Sequence, residues 1–413
     1  MAVVLETPHC GRRRRMKLTA DLLVEACGDD SRHGALTIRT TLEPVEGAGS
    51  PVKPPTYPGD GGSGAMIQID QRWIGEGDDR RKSEVVILDS VPSQANRYES
   101  ALGEMAESLG LPQIVLDLSS VGNLPPHLPG QLTSYQFPHR NADAYLRDAE
   151  LDGQSFPRTA IGRSILTATA SSPDPLLQWC PQALLFGYWQ SHVGKITQSK
   201  LARSWVSELV GIDPAATDVR ATGVKGDPLN LSTDEKVYAD ESDPLTGWGF
   251  ESEGRKGATR LSELGHGQVP VGGTSRPPAG ISFADIRQQS TVSFASLRRI
   301  NAESGERSAA ARALLAAIGL VAHSRAFGRP FSLRSGCDLY PVRSDWVWRG
   351  AEGESVIEPP THEELIELFR ECVGRAEAAG LPVGSYWASE PLVLTPNRSL
   401  AEAIRRTWPE SDD

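Results

Sequence analysis

Between residues 84 and 118 the hydrophobic period of the chain changes twice, and this constrains the fold more than any other feature. Residues 84–88 carry the apolar run Val85-Val86-Ile87-Leu88 of a buried strand. Residues 92–109 set Ala101, Leu102, Met105 and Leu109 on one side of a helix, and 113–118 return to a strand. A strand, a helix and a strand in so short a span predict one β-α-β unit. A second helix at 307–326, rich in Ala and Leu, runs into a strand at 331–342. The expected class is therefore α+β, with a duplicated β-α-β, ferredoxin-like core.

The remaining segments are read by the same periodicities. Residues 16–27 form a short amphipathic helix; 35–42 and 66–73 alternate as strands joined by a Pro/Gly-rich loop at 47–64. Residues 197–210 read as a helix from Leu201, Trp205 and Leu209, and 217–224 as a strand. Residues 119–199, with Pro125, Pro126 and Pro129, and the polar, glycine-rich 227–280 read as insertions on the core. Helices are expected at 362–379 and 399–408. The organisation is then a tail and short helix at 1–30, a core with insertions at 31–345, and an acidic helical extension at 346–413.

Composition limits the function classes. No uninterrupted apolar run approaches the ~20 residues of a bilayer span. At the amino end a short apolar stretch precedes Arg12 to Arg15, the reverse of a secretory signal, so a soluble cytoplasmic protein with no membrane partner is expected. Cys10, Cys27, Cys180, Cys337 and Cys372 are scattered and hold no CxxC pair; reduced, mostly buried thiols are expected, with no metal site. The net charge of −11 weighs against a polyanion partner. Yet 351–413 hold 13 acidic and 5 basic residues, a net of −8, which leaves −3 for residues 1–350. A nearly neutral body accommodates a local basic groove where arginines converge.

Most chemical motifs fail on context. Gly59, Gly61 and Gly64 match a dinucleotide-binding glycine pattern, but Pro58 precedes them and an alternating strand follows. Neither a nucleotide P-loop nor a Gly-x-Ser-x-Gly elbow occurs, and His362-Glu363 lacks the second histidine of a metalloprotease helix. His266, between Gly265 and Gly267, has no assigned partner for acid-base chemistry, which favours a structural or RNA-contacting role. No cofactor and no catalytic residue is expected.

The junction at Leu88-Asp89-Ser90-Val91-Pro92-Ser93-Gln94-Ala95-Asn96-Arg97-Tyr98-Glu99 is more specific. Here a buried strand runs into a helix through Ser90, Ser93, Gln94, Asn96 and Arg97, all hydrogen-bond donors. Free amides at a helix start and an arginine in its first turns suit an RNA phosphate; capping by Ser90 or Ser93 suits the same residues equally.

This segment resembles the signature of the CRISPR-associated RAMP backbone subunit of the type I subtype G, formerly U. Further segments resemble that family in the same order: Pro54-Pro55-Thr56-Tyr57, Pro138-His139-Arg140 with Asp143-Ala144-Tyr145, and Ile161-Gly162-Arg163-Ser164. Leu184-Leu185-Phe186-Gly187-Tyr188-Trp189, Glu263-Leu264-Gly265-His266-Gly267 and Gly336-Cys337-Asp338-Leu339 come after them. The resemblance runs from about residue 35 to 345.

It implies an RRM-like palm with inserted fingers and thumb that polymerises along a CRISPR RNA and presents the spacer for pairing with a target DNA strand. The partners implied are the guide, further copies of the chain, other Cascade subunits and a helicase-nuclease; no catalysis is implied. Ser93, Gln94, Asn96 and Arg97 carry over as guide contacts. Arg163, Arg298, Arg299, Lys53 and Arg72 are further candidates, and Arg255, Lys256, Arg260, His266 and Arg276 favour 227–280 as the thumb. Two rivals share the superfamily. One is a target-RNA-cleaving type III-like backbone subunit using Asp227, Asp240 or Asp243; the other is a guide-processing endoribonuclease using His266.

Overall fold

The computed structural model describes residues 15–407, apart from 59–64, 76, 123, 125–126, 192–198, 216–222, 226–227, 230, 232–234, 240–246, 251–257, 262–263, 267–268, 272–279 and 388–389. Its centre is a nine-stranded sheet. Cys337–Gly350, Ala35–Pro44, Phe283–Ser293, Trp205–Pro214, Arg81–Asp89 and Ile69–Ile74 lie side by side in that order, each antiparallel to the next. Phe283–Ser293 and Cys337–Gly350 flank Ala35–Pro44 and are joined through the helix Gly305–Phe327, which makes one split β-α-β crossing. Ala35–Pro44 and Trp205–Pro214 flank Phe283–Ser293 in the same way, with the helix Val91–Leu109 in their connection. The class is α+β, as expected.

Two readings are corrected. Residues 197–210 form strands, Ser199–Leu201 and Trp205–Pro214, and no helix. Leu201, Trp205 and Leu209 recur every four residues, a spacing shared by one turn of helix and two pleats of strand. The burial of Trp205, Ser207 and Leu209 against the more open Val206, Glu208 and Val210 shows the period of two. The strand Ile114–Asp117 does not return beside Arg81–Asp89 either. It pairs in parallel with Leu392–Pro396 in a separate five-stranded sheet.

One face of the main sheet is closed by helices. Gly305–Phe327 is apolar on all sides and runs through the middle of the core, against Val91–Leu109, Ala20–Cys27 and His362–Ala378. It is the one helix among the described residues long and apolar enough to cross a bilayer, and 83% of its apolar window is buried inside the fold. Gly319 lets it approach the sheet: a Cβ there would stand 2.4 Å from the Trp205 ring. Arg312, fully buried on this helix, places all its N–H groups, on Ile300, Cys27 and Arg298 carbonyls and on Asp29 and Asn301 side chains. Residues 346–413 contribute, besides the helix His362–Ala378, the strand Gly353–Ile357 of the main sheet and the strand Leu392–Pro396.

A polar network threads the interface between sheet and helices. The Gln94 side-chain oxygen accepts from Ser207 Oγ and Gln288 Nε2, both at 2.7 Å. Ser290 Oγ joins Ser207 at 2.8 Å and the Tyr98 hydroxyl at 3.0 Å, and Tyr98 meets His323 Nδ1 at 3.2 Å. Burial holds His323 down to about 4 from the ordinary 6.5. The unfolded chain therefore takes up a proton near pH 6.5 that the folded chain refuses until about 4. This contribution is fully present above pH 6.5 and is lost as the pH falls through that window. Glu99, pushed up to about 6 by burial against the pull of Arg140, gives the opposite slope between its ordinary value near 4.5 and 6. Urea midpoints at pH 7, 6 and 5 isolate the histidine by difference: His323→Gln should flatten the acid limb between pH 7 and 5 relative to the parent by about 2 kcal/mol. An unchanged limb would show that His323 protonates freely in the folded state.

Candidate nucleic-acid interface

The helix Val91–Leu109 starts where the buried strand Arg81–Asp89 ends, because Pro92 in its first turn fixes a helical φ and lacks an N–H to leave unpaired. It stops at Gly110, whose φ of 64° is left-handed and whose N–H returns to Ala106 and Glu107 carbonyls. Ser93, Gln94 and Arg97 share the face of its first turns that looks back on the strand end. There they meet Asp89, which is 1% exposed.

Asp89 holds three of the five polar side chains of the junction expected to hold RNA. Ser93 Oγ donates to its Oδ1 at 2.7 Å, Gln94 Nε2 to its Oδ2 at 2.5 Å and Arg97 Nε to Oδ2 at 2.9 Å. Arg334 approaches Oδ1 at 3.7 Å. Gln94 is wholly buried with its amide engaged at both ends, so it faces no ligand in this conformation. Arg97 is partly exposed: Nε and Nη2 serve Asp89 and the Leu333 carbonyl, while Nη1 bonds nothing among the described residues. Asn96 is exposed, and the Ser90 side chain makes no cap bond.

Arg334 carries the cluster outward. It donates to the Leu88 carbonyl at 2.7 Å and to the Lys53 carbonyl at 3.1 Å, and the exposed Lys53 also bonds Gly336 through its own N–H. Lys53, Ser90, Ser93, Asn96 and Arg97, separated in sequence, thus come together along one rim. Sequence reading missed Arg334 and Arg329. The signal lay in the basic residues around the expected 331–342 strand, which turns sharply at Gly336 with φ 76°.

The other predicted residues lie elsewhere. Arg72 forms a forked pair with Glu208 and also bonds Asp70, in a hollow of about 520 Å3 on the open sheet face, lined also by Arg39, Trp73 and Arg287. Arg287 is paired with Asp285, so these two cations are matched by carboxylates. Arg298 donates to the Ala26 and His33 carbonyls and holds the first helix; Arg299 donates to the Ser296 and Ala202 carbonyls. Arg163 is exposed on the short helix Ala160–Thr167. His266 is exposed, its ring 5.6 Å from Trp248, with Phe250 beyond at 5.8 Å from Trp248. Asp227, Asp240, Asp243, Arg255, Lys256 and Arg276 lie outside the described residues.

Three segments quoted for the family resemblance also converge. Arg140, at a left-handed φ of 55°, donates to both Glu99 oxygens at 2.6 and 2.7 Å and to the Gly187 carbonyl at 2.9 Å. The strand-helix junction, the Pro138-His139-Arg140 turn and the Leu184 to Trp189 segment are therefore one buried contact. Much of what these motifs specify is internal scaffold.

Residues 36–215 match the family model described as CRISPR-associated protein GSU0053. The matched residues, less than half of the chain, are similar to that CRISPR-associated family. No curated protein matches the chain.

Because Asp89 is buried, removing it leaves Arg97 and Arg334 facing each other without their carboxylate. Asp89→Ala should therefore lower stability by about 3–5 kcal/mol in urea unfolding. Arg97→Ala should also destabilise, whereas Asn96→Ala should stay within about 0.5 kcal/mol of the parent. Equal midpoints for Asp89→Ala and the parent would remove Asp89 from its central place.

Proposed function

We propose that the chain binds a CRISPR RNA as the repeated backbone subunit of a type I interference complex, without cleaving it. The observation that carries the proposal is the family match over 36–215, which spans the strand Arg81–Asp89 and the helix Val91–Leu109 on one side of the rim, while Arg334 comes from the strand Phe331–Arg334 beyond the match. The split β-α-β crossings support reading the main sheet as a ferredoxin-like palm, and the segment between Trp205–Pro214 and Phe283–Ser293, with its exposed Trp248 and Phe250, as its thumb.

Charge selects the rim over the open sheet face as the path of the guide. Phosphate affinity comes from cations free to release their counterions. In the hollow, Glu208, Asp70 and Asp285 already occupy Arg72 and Arg287. Along the rim, Arg97 and Arg334 share one buried carboxylate, Asp89, while the exposed Lys53 adjoins Arg334 and the exposed Arg329 lines the same pocket as Arg97. Backbone contacts of this kind hold an RNA independently of its sequence and leave its bases for pairing. Further copies, other Cascade subunits, a helicase-nuclease and the paired target DNA strand belong to the same proposal.

Light scattering on size-fractionated complexes tests it. With CRISPR RNAs of increasing spacer length, the number of protein copies per RNA should rise in regular steps, and repeat-containing precursor RNA should remain intact. One copy per RNA at every length would exclude a backbone subunit, and discrete cleavage of the precursor would exclude a purely binding one.

A further inference from the structure

A pocket of about 460 Å3 opens beside the rim, between the helix Val91–Leu109, the carboxyl end of Gly305–Phe327 and the strand Phe331–Arg334. Its wall carries three guanidinium groups, of Arg97, Arg325 and Arg329, against the single carboxylate of Glu104. Arg325 gives Nε and Nη2 to Glu104, at 3.2 and 2.8 Å, and keeps Nη1 unbonded among the described residues, as Arg97 does. Arg329 is exposed and lies beyond the end of its helix. The helix dipole accounts for a cation in the last turn, where Arg325 stands, but not for one past it. The floor is aromatic: Phe331 is half-buried and meets Phe327 edge-on at 4.9 Å, which leaves Phe331 in the pocket lining.

We infer that this pocket seats one nucleotide of the bound RNA strand, its phosphate between Arg97 and Arg329 and its base on Phe331. The inference rests on the guide-binding function proposed above and deepens it. Three cations around an aromatic floor are the two elements of single-strand binding, backbone attraction and base stacking. The volume falls within the ~300–1,000 Å3 of small-ligand sites. Ser332, exposed at the mouth, supplies a hydroxyl to the same phosphate.

Fluorescence anisotropy of the full chain with a short fluorescein-labelled single-stranded RNA, over a range of salt concentrations, tests the inference. Arg329→Ala should reduce the slope of log affinity against log salt by about 0.7, the loss of one phosphate contact on a single strand. Arg329→Lys should keep the slope. Phe331→Leu should weaken binding about fivefold or more while the slope stays unchanged, since it removes stacking and no charge. Thermal unfolding of each variant confirms the fold. If the parent binds and all three variants match it in affinity and slope, the pocket is not a nucleotide seat, while guide binding stands. If the parent itself shows no salt-dependent binding, guide binding and the seat fall together.

Discussion

The buried carboxylate of Asp89 is the constraint around which the rest is arranged. A charge at 1% exposure must be matched inside the protein, because desolvation alone would cost several kcal/mol. Four side chains do this from two elements: Ser93, Gln94 and Arg97 from the helix that follows, and Arg334 from the strand Phe331–Arg334. The helix is thereby fixed on the end of its strand. Through Gln94 the same carboxylate is tied to Ser207 and Gln288 on the two neighbouring strands, and through Ser290 and Tyr98 to His323 on the central helix.

This arrangement separates scaffold from ligand surface within one short segment. Groups that point at Asp89 set geometry, and those at the edge of the cluster remain for a partner. Arg97 belongs to both sets: two of its nitrogens hold the interior, the third bonds nothing among the described residues, and the side chain lines the pocket shared with Arg329. A loss of RNA binding in Arg97→Ala would therefore mix a folding defect with a lost contact. Lys53, Asn96 and Arg329, exposed and outside the network, report on the surface alone.

The sequence made the strand-helix junction and both long helices legible because their periodicities are long and uninterrupted. It did not make Asp89 legible as a hub. Five donors after a buried strand look the same whether a phosphate or a carboxylate awaits them, and Asp89 itself stood among them unweighed. In physical terms the sign was present: Ser93 and Arg97 lie four apart on the helix face that looks back on the strand end, where Gln94 joins them. The strand Trp205–Pro214 was misread because a four-residue spacing is ambiguous between the two periods. The pairing of Ile114–Asp117 with Leu392–Pro396 joins segments far apart in the chain, which no local pattern announces.

The rim itself can be tested without any substitution. Photo-cross-linking of a thiouridine-substituted CRISPR RNA to the intact chain, followed by peptide mapping, locates the strand on the surface directly. Adducts are expected on the peptides that carry Lys53, Asn96 and Arg329. Adducts confined to the open sheet face around Arg72 and Arg287, with none at the rim, would contradict the rim as the path of the guide.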